Sequence, residues 1–409
     1  MESTWDIVFA CKTEFINRKI REQKTAFLGA FNYKNGMLCA EIPAFQIGWS
    51  GNEQYMAVEL TLRNVRINVG GITEEHDRIN SMAHLQFCFK DEHNVGFVCK
   101  TLAEQSGDVQ FGAVWIENAD ITGEIKNEIL QDSFGTVLAR ALIEQESRIS
   151  IVLAKLNADY FQPLGISVRK SVPAFQNLGG TPVMAVMCMV RQTEKEPSRQ
   201  FSPQLLQGFD FGYIMSRRIF LEKFILPCVP RLLNIRSGNF KMLDDNSIVN
   251  EGSIFVSKIK VAATNYTIQA SLIKLQFVGD YLHLLVEGTV DFTGLADSYI
   301  SYTFHSVRSP CFTQENGGRV YFTPVAGSDD EFHSDKHIPL WIEITAGVFT
   351  FGLFTMISEL IGSEIQSRVK NMMNDIHYNG EDGGYFLTWA NTSLRFTDGG
   401  YSSNIYMRG

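Results

Sequence analysis

Residues 344–372 restrict what this chain can become more than any other segment. From Ile344 the sequence is apolar on almost every side for about four turns. It then continues through Leu360, Ile361, Ile365, Val369 and Met372 at three- and four-residue spacing, which predicts a helix of about thirty residues, long for a globular protein. A helix that is apolar all round has no solvent face and must be enclosed. The apolar part between Glu343 and Glu359 is too short to span the ~20 residues of a bilayer's hydrocarbon core, so no transmembrane segment is expected and protein must supply the enclosure. A long, strongly curved antiparallel sheet can do this. Gly347, Gly352 and Gly362 would let strands or another helix approach closely, each at about 1 kcal/mol of helix propensity relative to alanine.

Sheet-forming sequence occurs in two blocks. Extended runs at 27–33, 37–47, 56–69, 83–90, 95–102 and 109–116 are separated by Asn35-Gly36, Gly70-Gly71, residues 91–94 and Ser106-Gly107-Asp108. Residues 55–69 alternate apolar with polar across most of their length, so one face is wet and one is covered. A second meander follows at 253–263, 265–277, 281–292, 298–306 and 319–323. Helical spacing is read from Trp5 through Val8, Phe9, Ile16 and Ile20, at 134–146, and at 211–226 before Pro227, with Ser3, Thr4 and Asp210 as candidate caps. Residues 149–156 and 182–190 return to strand character. The polar, proline-bearing stretch 191–204 is the clearest linker, and a chain of 409 residues suits two modules, at 1–200 and 201–409, with central strands open to sharing. Each half reads helix, meander, helix, a repeat of architecture without visible identity. The fold class expected is α+β, two modules each with a long helix wrapped by a highly curved antiparallel sheet.

Charge excludes some partners. With 36 basic against 45 acidic residues the net charge is -9, so a phosphate backbone is repelled and no nucleic-acid partner is expected. No Lys/Arg cluster is dense enough for a polybasic membrane anchor, so any lipid contact should be apolar. Five of the seven cysteines, Cys11, Cys39, Cys88, Cys99 and Cys188, sit in apolar stretches without metal-ligand spacing and read as core thiols of a reducing compartment.

Chemical signatures are sparse. The phosphate-binding Gly-x-x-x-x-Gly-Lys-Ser/Thr, the hydrolase Gly-x-Ser-x-Gly and the zinc-protease His-Glu-x-x-His are all absent, which argues against the commonest catalytic classes. The best metal candidate is His333 with His337, among carboxylates at 329–335. Flanking Pro324, Gly327 and Pro339 predict a solvated acidic loop there, so no metal, cofactor or catalytic residue is assigned. His84 and His283 lie in strands and read as hydrogen-bonded or surface histidines. The strip Phe349, Phe351 and Phe354 suits either a ligand groove or core packing.

Three stretches carry a resemblance: Thr4-Trp-Asp-Ile-Val-Phe-Ala, Phe209-Asp-Phe-Gly-Tyr-Ile-Met-Ser-Arg-Arg-Ile-Phe-Leu-Glu-Lys-Phe-Ile-Leu-Pro, and the closing Gly- and Phe-rich helix from Ile344. With the length and the order of segments, they resemble the clostridial forty-seven-kilodalton protein family of OrfX-type botulinum neurotoxin and related toxin gene clusters. That resemblance implies the tubular lipid-binding architecture shared with bactericidal/permeability-increasing protein. It also implies a non-enzymatic accessory role to a toxin, binding lipid or another apolar ligand in a helix/sheet groove. Ile344, Val348, Phe351, Phe354, Phe9 and Ile16 are the groove candidates. The alternative is a component that assembles with other products of the cluster or with the toxin, its groove closed and without lipid. A metal-dependent enzyme, resting on His333 and His337, is a third and weaker reading. Met1 to Asp6 show no signal-peptide pattern, so residence in the cytoplasm of the producing bacterium is expected, with any release by another route.

Overall fold

The apolar run Ile7–Lys12 is a strand whose side chains alternate between two cores. Ile7, Phe9 and Cys11 enter the main core, while Val8 and Ala10 join a smaller one with Trp5, Phe201, Leu205, Leu206 and Ile214. Coverage on both faces is why the run is continuously apolar. The computed structural model describes residues 4–51, 55–99, 114–117, 124–157, 159–160, 162–192, 197–232, 240–261, 263–292, 297–326, 330–339 and 348–409.

The described strands form three antiparallel sheets. The central one runs Asp398–Ser402, Asn404–Arg408, Phe211–Ser216, Ile7–Lys12, Thr181–Met189, Lys170–Leu178. The N-terminal sheet runs Leu28–Tyr33, Leu38–Gly51, Tyr55–Val69, Ile72–Phe89, Asn94–Val98, Val152–Leu156, Leu387–Trp389, with Trp115–Glu117 also on Ile72–Phe89. The C-terminal sheet orders Phe240–Met242, Ser247–Asn250, Thr264–Val278, Tyr281–Asp291, Tyr299–Thr313, Arg319–Pro324 and His377–Asn379. Ile254–Val261 pairs with Thr264–Val278, and Glu331–His337 with Tyr299–Thr313.

Bulges curl the two outer sheets. The register shifts at three points between Leu38–Gly51 and Tyr55–Val69, and again at Phe255/Ser257 and Ala270/Leu272. Each shift adds local bend and twist. The N-terminal sheet holds helices Thr13–Gln23 and Glu128–Glu144. The second of these is capped by the Asn127 side chain, which accepts from the Ile129 and Leu130 amides, and it buries Leu130, Phe134, Leu138, Ala141 and Leu142. The C-terminal sheet holds the long helix Val348–Asp375. The architecture is thus α+β and mostly sheet, two curled antiparallel sheets joined by a central one.

Strand membership does not follow chain order. Ile7–Lys12 lies between strands 181–189 and 211–216, and Leu387–Trp389 pairs with Val152–Leu156. The central and N-terminal sheets therefore draw strands from both sides of residue 200, the C-terminal sheet from one side. Among the described residues no helix is long and apolar enough to cross a membrane.

Five local expectations are corrected. The helices read from Trp5 and from residue 211 begin later, at Thr13 and Arg217, each preceded by a strand. Short apolar runs satisfy both periodicities, and burial on both faces selected the strand. Asp210 therefore caps no helix. Its carboxylate instead pairs with Arg18 at 2.6 Å, while Ser216 Oγ accepts from the Ile219 amide at the true helix start. The acidic stretch at 329–337 is not all loop, since Glu331–His337 is a strand. The linker is partly packed, because Phe201, with Leu205 and Leu206 just after the linker, covers the outer face of the central sheet.

Candidate functional site

The long helix lies across strands Ile254–Val261, Tyr299–Thr313, Arg319–Pro324 and Glu331–His337. Ile357, Ile361, Ile365, Val369 and Met372 form its buried stripe, at spacings of three and four residues. Its other side is not fully enclosed, since Met356 is 44% and Leu360 38% exposed. That corrects the picture of a helix covered all round: the curled sheet wraps one side of its described part. Two polar contacts pin it. Ser257 Oγ donates to Glu364 at 2.8 Å, and Arg368 Nε donates to the same carboxylate at 2.8 Å, which holds Glu364 below its ordinary pKa.

Beside the buried stripe runs an open groove of about 420 Å³ between the helix and strand Glu331–His337. Phe304 and Phe332 come from the sheet and Phe354 from the helix. Phe332 is held by Tyr302, whose ring lies 6.3 Å away and nearly parallel, and the Tyr302 hydroxyl donates to the Gln269 carbonyl at 2.9 Å. Gly362 sets the width: a Cβ there would sit 3.2 Å from Phe332 Cδ1.

One end of the groove is polar. Arg308, 3% exposed, donates from Nη1 and Nη2 to the two oxygens of Asp330 at 2.8 and 3.1 Å. Burial pushes the Asp330 carboxyl up, but the hydrogen-bonded Arg308 guanidinium outweighs it, and the net direction is down. Ser358, Ser363 and Gln366 add neutral polar groups from the helix. Ser358 is 9% exposed, and its hydroxyl oxygen is buried without a hydrogen-bond partner.

Of the six residues read from sequence, Phe354 lines this groove. Phe9 is fully buried in the main core, 4.7 Å from the Tyr213 ring and 5.4 Å from Phe386. Ile16 is fully buried on helix Thr13–Gln23. Ile344 lies outside the described residues, as do the side chains of Val348 and Phe351. Sequence reasoning missed Phe304, Phe332, Arg308, Asp330 and Ser358. A signal existed for Arg308, which continues the inward register of Ile300, Tyr302, Phe304 and Ser306. A charge on that register marks a buried pair.

His333 and His337 stand four residues apart on the outward face of their strand, about 13 Å, too far to share one ion. His337 exchanges a 2.8 Å hydrogen bond with Ser301 Oγ and stacks on Tyr299. His84 bonds Glu117 and stacks on Trp115, and His283 bonds His305. Among the described residues no three His, Cys, Asp or Glu side chains are grouped to hold a metal ion. None of the seven cysteines forms a disulfide, and burial pushes the Cys11, Cys99 and Cys188 thiols up.

Two curled antiparallel sheets, each packed on helices and joined through a central sheet, define a mostly-sheet, two-module α+β class of fold. Residues 178–379, just under half of the chain, match the OrfX-like family (Protein OrfX2/OrfX3/P47). The chain is 23% identical over 334 residues to Protein P47 of Clostridium botulinum (strain Kyoto / Type A2), covering 78% of this chain and 79% of that protein. Its fold is similar to that of P47 from Clostridium botulinum A2, with a TM-score of 0.72 at 18% identity over 99% of this chain and 97% of that one. It is also similar to P47 of Clostridium botulinum E1, with a TM-score of 0.75 at 16% identity over 99% and 98%.

Proposed function

We propose that this protein is a non-enzymatic accessory protein of a toxin gene cluster that binds an apolar ligand in the groove between helix Val348–Asp375 and strand Glu331–His337, in the manner of a tubular lipid-binding, BPI-like fold. The groove itself supports this reading: among the described residues it is open, about 420 Å³, and lined by three phenylalanines. Ligand pockets of small molecules start at roughly 300 Å³. All of its described lining residues fall within 201–409, so on this reading the second of the two proposed modules carries the ligand. Cytoplasmic residence in the producing cell, with release by a non-classical route, completes the proposal.

The test is mass spectrometry of an organic extract of the purified protein, paired with displacement of a fluorescent fatty-acyl probe. Ser363→Trp, which fills the groove from the helix side, should abolish probe binding while leaving the melting temperature unchanged. The competing reading is assembly with other cluster proteins or with the toxin. An extract free of lipid, no probe binding, and a stable complex recovered from the producing cell would favour assembly.

A further inference from the structure

Resting on the groove reading above, we infer that the ligand is a single-chain amphiphile whose polar end is uncharged and carries a hydroxyl, not a fatty acid, an amine or an anionic phospholipid.

The size argument comes first. At about 420 Å³ the open groove lies near the small end of ligand pockets, which suits one acyl chain and not two side by side. Three aromatic faces suit a flexible hydrocarbon.

The charge argument decides the head group. The described lining residues include no Lys, Arg or His. Arg308 is buried behind the groove wall, and both its terminal nitrogens are committed to Asp330. That pair is internally neutral, so it offers an anion no free cation and a cation no free carboxylate. Glu359 stands exposed at the rim, where solvent screens it but where it still opposes an anionic head. A charged head drawn into this neutral interior would be desolvated without a counter-charge.

Among the neutral polar groups of the lining, one is specific. Ser358 is nine-tenths buried, faces the groove, and has a hydroxyl without a partner. Buried hydroxyls are normally hydrogen-bonded, and a serine can both donate to and accept from a ligand hydroxyl. Such a ligand satisfies Ser358 without bringing a charge.

Three probes of equal chain length separate the outcomes: monooleoylglycerol, oleate and oleylamine, each tested at pH 8 for displacement of an uncharged fluorescent acyl probe. Monooleoylglycerol should bind at least about tenfold more tightly than either ion. Ser358→Ala should weaken it by about fivefold and leave oleate unaffected. Glu359→Lys, which reverses the charge at the groove rim, should raise oleate affinity. Oleate or oleylamine binding the unaltered protein as well as monooleoylglycerol overturns the neutral-head inference while the groove reading survives. Failure of all three, with no probe signal to displace, overturns both.

Discussion

Arg191 Nε donates a 2.9 Å hydrogen bond to Oδ1 of Asp6, a carboxylate with no exposed surface, across 185 positions of chain. The other oxygen accepts from the amides of Val190 and Arg191 at 2.9 and 3.1 Å. Asp6 precedes the central strand and Arg191 follows the strand paired with it, so one carboxylate ties the start of the chain to the start of the linker.

Asp6→Ala should therefore cost about 2–3 kcal/mol, because two amides lose a charged acceptor in a dry site. Arg191→Gln should cost less, about 1 kcal/mol, since the guanidinium is 41% exposed and the amides keep their partner. Urea denaturation of both variants checks the order. Equal losses would mean that the ion pair and not the amide bonds carries the energy.

The linker's grip on the central sheet can be measured by a double-mutant cycle. Gly212 has room only for hydrogen, because a Cβ there would lie 2.6 Å from Leu205 Cγ. Gly212→Ala should destabilise by about 2 kcal/mol through overpacking, and Leu205→Ala by about 3 kcal/mol through the cavity it leaves. Their combination should cost at least about 1 kcal/mol less than the sum, because the smaller side chain admits the new methyl group. Additivity within error would place Leu205 elsewhere.

Gly288 provides a comparable test in the C-terminal sheet. An added Cβ would overlap the Gln269 carbonyl and come 2.5 Å from the Tyr302 hydroxyl, the two groups that bond each other behind Phe332. Gly288→Ala should cost about 3 kcal/mol and weaken binding in the groove together with stability. Probe binding unchanged in a folded Gly288→Ala protein would show that Phe332 does not depend on Tyr302.

Acid should weaken the groove wall. The folded pKa of Asp330 is depressed below its unfolded value of about 3.9, so its contribution is fully present above that value and is lost as pH falls through the folded pKa. Stability should accordingly fall below about pH 4, and less steeply in Asp330→Asn, which has already lost the paired charge. Denaturation midpoints at pH 7, 4 and 3 distinguish them. Parallel slopes would assign the acid sensitivity to other carboxylates such as Glu364.

Ile361→Asp would place a charge on the fully buried stripe of the long helix and should cost several kcal/mol. A variant that melts with the parent would show that this helix does not pack on the sheet.

What the sequence determined by itself was local. Alternation along most of 55–69, Gly70-Gly71 as a turn and the three- and four-residue stripe of the last helix each follow from a period that burial on one side imposes, and each stands in the structure outside the continuously buried stretch 55–58. Where burial came from both sides the period vanished, which is why Ile7–Lys12 and Phe211–Ser216 read as parts of helices when they are strands. The tail of strand 299–313 was missed for a related reason. Its inward register ends in Ser306 and Arg308, polar residues that make sense only once Asp330, 22 positions on, is brought opposite.

Only tertiary structure could decide that Ile7–Lys12 lies between strands 181–189 and 211–216, that Leu387–Trp389 joins a sheet begun at residue 28, and that Phe304, Phe332, Phe354 and Ser358 line one groove. Those pairings join segments far apart in the chain. Their choice depends on which strand edges and apolar faces remain uncovered after the local elements form, a property of the assembled sheets and of no single segment.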